Sequence, residues 1–185
     1  MMMVIRGNEG WDKLMEDIDN GMCRERRCKQ GRQAYVQTDI EAGWQAEFGP
    51  CDPEHQRPSG GVGMLAKKPR RCIPVRAKTK AYEDAHATGR VAMYAIDMTC
   101  EVAACTLMAV VVYGWTGAEA GNTACDRTDD ICRTVLEELQ CHPIGPKMLT
   151  GDINGELREF DTLRLMTEQL GWTDIGAQAY LCPQG

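Results

Sequence analysis

Two periods of apolar and polar residues run along the chain, and the change from one to the other marks out its elements. Within Gly89 to Met98, Val91, Met93 and Ala95 alternate with Ala92, Tyr94 and Ile96, and both sets are largely apolar. A strand covered on both faces has this composition. Ala103 to Tyr113 (AACTLMAVVVY) carries no charge and is β-branched towards its end, the strongest strand signal in the sequence. Thr99 to Val102 then reads as a hairpin turn between the two. Gly61 to Ala66, Cys72 to Arg76 and Lys147 to Thr150 predict further strands.

The helical period appears after the glycine-rich stretch Gly114 to Gly121. Asn122 or Thr123 can cap a helix running to about Gln140, with Ile131, Val135, Leu136 and Leu139 on one face. A second helix is expected from about Glu156 to Leu170, with Leu157, Phe160, Leu163 and Leu170 turned to the core and Gly171 as its stop. Earlier, Trp11 to Ile18 has helical spacing, Thr38 to Trp44 predicts a short helix, and Gly49 to Gly60 is turn-rich. Strand pairs followed by alternating strands and helices predict an α/β fold, a hairpin-joined sheet with helices packed outside it.

Composition adds limits to this picture. A length of 185 residues suits one domain, and 43 % hydrophobic with 26 % charged residues suits a globular chain with a sizeable core. No apolar run approaches the ~20 residues that span a bilayer, and the opening MMMVIRGNEGWDKL lacks a secretory apolar region. The expectation is an intracellular protein, nuclear or cytoplasmic, with no membrane association, or a piece of a larger product.

The net charge of −6 argues against indiscriminate coating of nucleic acid. Against that balance, Lys67, Lys68, Arg70, Arg71, Arg76, Lys78 and Lys80 form a run with no acid among them. Such a run either meets phosphates or is a solvated loop. The ten cysteines contain no C-x-x-C pair, so buried thiols are favoured over zinc or thioredoxin-like chemistry. His142 beside Cys141 reads as a turn residue ahead of Pro143 before it reads as a metal corner.

The chemistry concentrates in Met148-Leu149-Thr150-Gly151-Asp152-Ile153-Asn154. An apolar strand ends in Gly-Asp-x-Asn, and residues two apart on a strand tend to point the same way. A carboxylate able to take a proton and a carboxamide able to fix an oxygen are thereby presented together, as hydrolysis requires.

Four blocks stand in order: Ser59-Gly60-Gly61-Val62-Gly63, Gly89-Arg90-Val91, Val111-Val112-Tyr113-Gly114, and Leu149 to Asn154. With Gly171-Trp172-Thr173-Asp174 they resemble the endonuclease/exonuclease/phosphatase superfamily, which holds deoxyribonuclease-I-like enzymes, apurinic endonucleases and non-LTR retroelement endonucleases. The resemblance covers about Ser59 to Asp174; residues 1–58 match poorly, and 59–185 look like the central part of such a domain, truncated at both ends. It implies a four-layer α/β sandwich, two packed mixed sheets with helices outside, in incomplete form.

The activity it implies is phosphodiester hydrolysis dependent on Mg²⁺ (or Mn²⁺), on nucleic acid, DNA before RNA, within a larger polyprotein such as one with a reverse transcriptase. Asp152 matches the aspartate that orients or deprotonates the attacking water. Asn154 matches the asparagine that holds a phosphate oxygen, and Tyr113 the tyrosine that donates to the scissile phosphate. Arg90 matches an arginine that binds phosphate or, more in keeping with its place at a strand start, acts structurally; Thr116 stands where many nucleases carry asparagine. The family's metal-binding Gln-Glu block is not found before Ser59. Its closing Asp-His pair has no counterpart either, since His55, His86 and His142 all precede Asp152. Two alternatives stand beside the hydrolase: a non-catalytic remnant of the fold, and a cysteine-rich metal-binding or interaction module.

Overall fold

A computed structural model of the chain describes residues 44–50, 61–67, 70–99, 104–117, 122–143 and 145–175. The expected helix Trp11 to Ile18 and almost all of the Thr38 to Trp44 helix lie outside these residues. Trp44 itself opens a strand, β1 (Trp44–Phe48), which pairs antiparallel with β2 (Gly63–Lys67) in a small sheet.

The larger sheet has four strands in the order β3 (Cys72–Pro74), β4 (Val91–Thr99), β5 (Ala104–Tyr113) and β6 (Lys147–Asp152). The first three are antiparallel, and β6 lies parallel to β5. Pairing of Thr99 with Ala104 closes the β4–β5 hairpin where the sequence places its turn. Helix α1 (Lys80–Ala87) precedes β4. Helix α2 (Thr123–Gln140) makes the crossover from β5 to β6, and α3 (Asp161–Glu168) follows a 3-10 turn at Leu157–Glu159.

The doubly apolar pattern of β4 and β5 has a direct cause. Val91, Met93, Val110 and Val112 are buried on the face covered by helices, together with Ile131, Cys132, Val135 and Leu139 of α2 and Phe160, Leu163 and Met166. Ala92, Tyr94, Ile96 and Ala109 are buried on the other face with Val62 and Ala66 beside the small sheet. Helices, large sheet and small sheet therefore form three layers among the described residues, an α/β architecture with two packed sheets. Polar contacts among the described residues also tie the sheets: Tyr94 Oη donates to Glu47 O at 3.2 Å, and the Gln45 carboxamide takes both backbone groups of Cys72, at 2.7 and 3.3 Å. No helix among the described residues is long and apolar enough to cross a membrane.

Of the two caps the sequence offers for α2, Asn122 serves, its side chain accepting from Cys125 N. Other boundaries differ from the sequence expectation. Helix α1 is unforeseen because it buries little beyond Tyr82 and so lacks an apolar stripe. The helix expected over Glu156 to Leu170 is interrupted at Phe160, whose backbone turns extended (φ −104°, ψ 116°) while its ring is fully buried. Leu170, expected in the core, lies beyond the helix end and is 46 % exposed. Among the described cysteines, Cys72, Cys125 and Cys132 are buried thiols as expected, whereas Cys105 and Cys141 are exposed.

Candidate functional site

Because β5 and β6 are parallel, their carboxyl ends lie side by side, and the last paired residues are Tyr113 and Asp152. Register partners share a sheet face, so both side chains belong to the face turned towards the small sheet, where Tyr113 packs half-buried. Close approach of the two strands depends on Gly151, at φ 136°: a Cβ there would come within 1.8 Å of Val112 O. The pairing continues one step past the strand ends, Gly114 N donating to Asp152 O at 2.7 Å. Gly114 is also constrained, since a Cβ there would sit 2.4 Å from Ile153 O.

The chain then reverses. Asp152 is exposed, and its Oδ1 accepts from Asn154 N at 2.9 Å, an Asx turn that fixes the carboxylate without burying it. Ile153 is buried as the anchor of the turn. Asn154 adopts φ 54°, the left-handed region that asparagine tolerates better than most residues. Its Nδ2 donates to Gly114 O at 3.1 Å. Carboxylate and carboxamide are therefore brought together by a turn and not by continued strand alternation, because the strand ends at Asp152.

Arg90 underlies this arrangement. Only 8 % exposed, it donates from Nη1 to the same Gly114 O at 3.0 Å. Its guanidinium lies 4.4 Å from the Trp115 ring centroid and 5.4 Å from that of Tyr113, within cation–π range. Arg127 covers Trp115 as well, at 4.1 Å. Trp115 N donates to Thr128 Oγ1, and Asn122 Nδ2 donates to Gly117 O, so α2 holds the loop after β5 at two points. Thr116 sits exposed in that loop's turn. The structure thus gathers Tyr113, Asp152, Asn154 and Arg90 at one end of the sheet, with Thr116 in the adjoining loop. Trp115 and Arg127 were not singled out from the sequence; the signal available was an aromatic residue directly after a strand-ending Tyr-Gly.

Other candidates fall elsewhere. His142 stands in the bend ahead of Pro143, as the sequence expects, and its buried ring pairs through Nε2 with Glu138 Oε1 at 2.8 Å, a structural contact. Glu138, with its side chain fully buried, also accepts from Lys78 N, Thr79 N and Thr79 Oγ1. Burial alone would push its carboxyl up, but the bonds from Thr79, His142 and Lys78 outweigh it and hold the group below its ordinary value. In the basic run, Lys78 Nζ donates to Cys141 O and Lys80 pairs with Glu83 and Asp84, while Arg70, Arg71 and Arg76 are exposed. Among the described residues no three His, Cys, Asp or Glu side chains gather where they could hold a metal ion.

The sequence matches no protein-family model, and no curated protein matches it. Among solved structures, the chain is similar to the human Nocturnin catalytic domain with bound sulfate anion, with a TM-score of 0.47 and 15 % identity over 73 % of this chain and 51 % of that one. The chain spans about half the length of that domain. At this level of similarity, nothing about activity passes from that domain to this chain.

Proposed function

We propose that the chain is a phosphodiester hydrolase acting on nucleic acid, with DNA ahead of RNA as substrate. The observation that carries the reading is the pairing of Tyr113 with Asp152 at the carboxyl ends of β5 and β6, with Asn154 tied to Gly114 O beside them. Phosphoryl hydrolysis needs an oriented water and donors aimed at the equatorial oxygens. Asp152, exposed and fixed by its Asx turn, holds the water and takes its proton. One N–H of Asn154 is committed to Gly114 O, which leaves the second to donate to a phosphate oxygen. The Tyr113 phenol donates to the scissile phosphate, and Thr116 stands at the rim as a further polar contact.

Mg²⁺ or Mn²⁺ is the cofactor expected of such a reaction. The described residues do not form its site by themselves: Asp152 is a single carboxylate, and Mg²⁺ demands near-octahedral oxygen coordination. The exposed Arg70, Arg71 and Arg76 favour a polyanionic partner. An intracellular setting, nuclear or cytoplasmic, and a place within a larger polyprotein such as one with a reverse transcriptase belong to the same proposal.

The test is nicking of supercoiled plasmid by the purified chain with Mg²⁺, with Mn²⁺, and with EDTA, beside Asp152→Ala and an RNA substrate. Nicking that requires both the divalent ion and Asp152 is expected. Soluble, folded protein that never nicks overturns the hydrolase and leaves a non-catalytic remnant of the fold.

A further inference from the structure

One backbone oxygen at the candidate site serves two side chains. Gly114 O accepts from Arg90 Nη1 at 3.0 Å and from Asn154 Nδ2 at 3.1 Å. The guanidinium is buried against the rings of Tyr113 and Trp115. We infer that Arg90 is a positioning residue, which sets the Asn154 carboxamide through the shared Gly114 carbonyl and steadies the Tyr113 ring by cation–π contact, and does not itself touch the phosphate.

A hydrogen bond from a cation is shorter and stronger than a neutral one, so Arg90 fixes where the Gly114 carbonyl points. An oxygen that accepts only can be met by the Asn154 nitrogen and not by its oxygen, so the carboxamide has one orientation and presents its second N–H outward. Finally, a planar guanidinium can stack on a ring and donate in its own plane at once, which a lysine ammonium cannot reproduce. Asn154 has no extended strand to hold it and stands at φ 54°; the carbonyl is its tether.

The activity arm of the test rests on the hydrolase reading; the spectroscopic arm does not. In ¹⁵N-labelled full chain, the Asn154 side-chain amide is assigned by its disappearance in Asn154→Asp. Its solvent exchange is expected to accelerate, and its shift to move, in both Arg90→Lys and Arg90→Gln. A folded Arg90→Lys chain with an unchanged Asn154 amide overturns the inference. So does failure of both variants to fold, which would make Arg90 a folding residue only.

In plasmid nicking, Arg90→Lys is expected to lower kcat roughly 10- to 100-fold, the scale of a slightly misplaced catalytic group, with KM unchanged. Combined with Asn154→Gly, it should lower kcat by less than the product of the two single losses, because part of its effect runs through Asn154. A raised KM with losses that multiply would identify Arg90 as a phosphate ligand and overturn the positioning role. A wild-type chain that does not nick, yet shows the amide coupled to Arg90, would remove the hydrolase and retain the tether.

Discussion

Asn154 separates backbone demand from chemical demand within one residue. At φ 54° its conformation is one that alanine adopts at a cost of about 1–2 kcal/mol, whereas glycine adopts it freely. Asn154→Gly should therefore leave stability in urea close to wild type, and Asn154→Ala should lower it by about 1–2 kcal/mol. Both should nick more slowly, because both lose the carboxamide. Gly151 makes a purely steric demand: a Cβ would meet Val112 O at 1.8 Å, backbone that cannot turn aside. Gly151→Ala should move β6 away from β5, which loss of amide protection at Val112 and Gly114, whose N–H groups face β6, would reveal in hydrogen exchange.

At the scale of elements, Glu138 joins two helices that the sequence leaves unconnected. From near the end of α2 it accepts the backbone N–H groups of Lys78 and Thr79, just ahead of α1, and the Thr79 hydroxyl; Thr79 in turn caps α1 at Tyr82 N. Its carboxyl lies below the ordinary 4.5 in the folded chain, because those bonds and His142 outweigh the opposing effect of burial. As pH falls below that ordinary value, the unfolded chain binds the proton before the folded one does. The stability Glu138 supplies is thus present above pH 4.5 and lost as pH falls through the lower folded value. Urea midpoints should decline across that window in the wild type and decline less in Glu138→Gln. At neutral pH that variant should be less stable by about 2 kcal/mol, the scale of a hydrogen bond to a charged group.

Across the whole molecule, the two sheets are held by apolar contact and a few directed bonds, of which Gln45 makes two. Gln45→Leu leaves the Cys72 N–H and C=O without that partner and should cost about 1–3 kcal/mol in equilibrium unfolding. The layering also grades thiol reactivity. Burial pushes the Cys72 thiol up to about 11, with Glu47 adding to the effect, and pushes Cys132 higher still, with Asp129 adding to it. Cys105 and Cys141 are exposed. Peptide-resolved alkylation of the native chain should modify Cys105 and Cys141 well before Cys72 and Cys132. Equal rates at all four would contradict the packing described above.

The residue pattern alone determined the α/β class, the β4–β5 hairpin, helix α2 and its core face, because these depend on periodicity and turn chemistry within a few residues of each other. It also presented Asp152 and Asn154 together at a strand end, whereas Tyr113 joined them only through the resemblance of the motif order to a known superfamily. Tertiary structure decided what periodicity does not encode. Helix α1 exists because Glu138, some sixty positions away, binds the backbone at its start; its own sequence carries no stripe to predict it. Phe160 breaks a periodic helix because the core takes its ring at the expense of the helical backbone. Asn154 reaches its place through the Gly114 carbonyl, forty positions back in the chain, and Arg90 reaches the same oxygen from twenty-four positions before it. Local spacing decides what a segment can become, but which distant oxygen a side chain meets is settled only when the strands stand side by side.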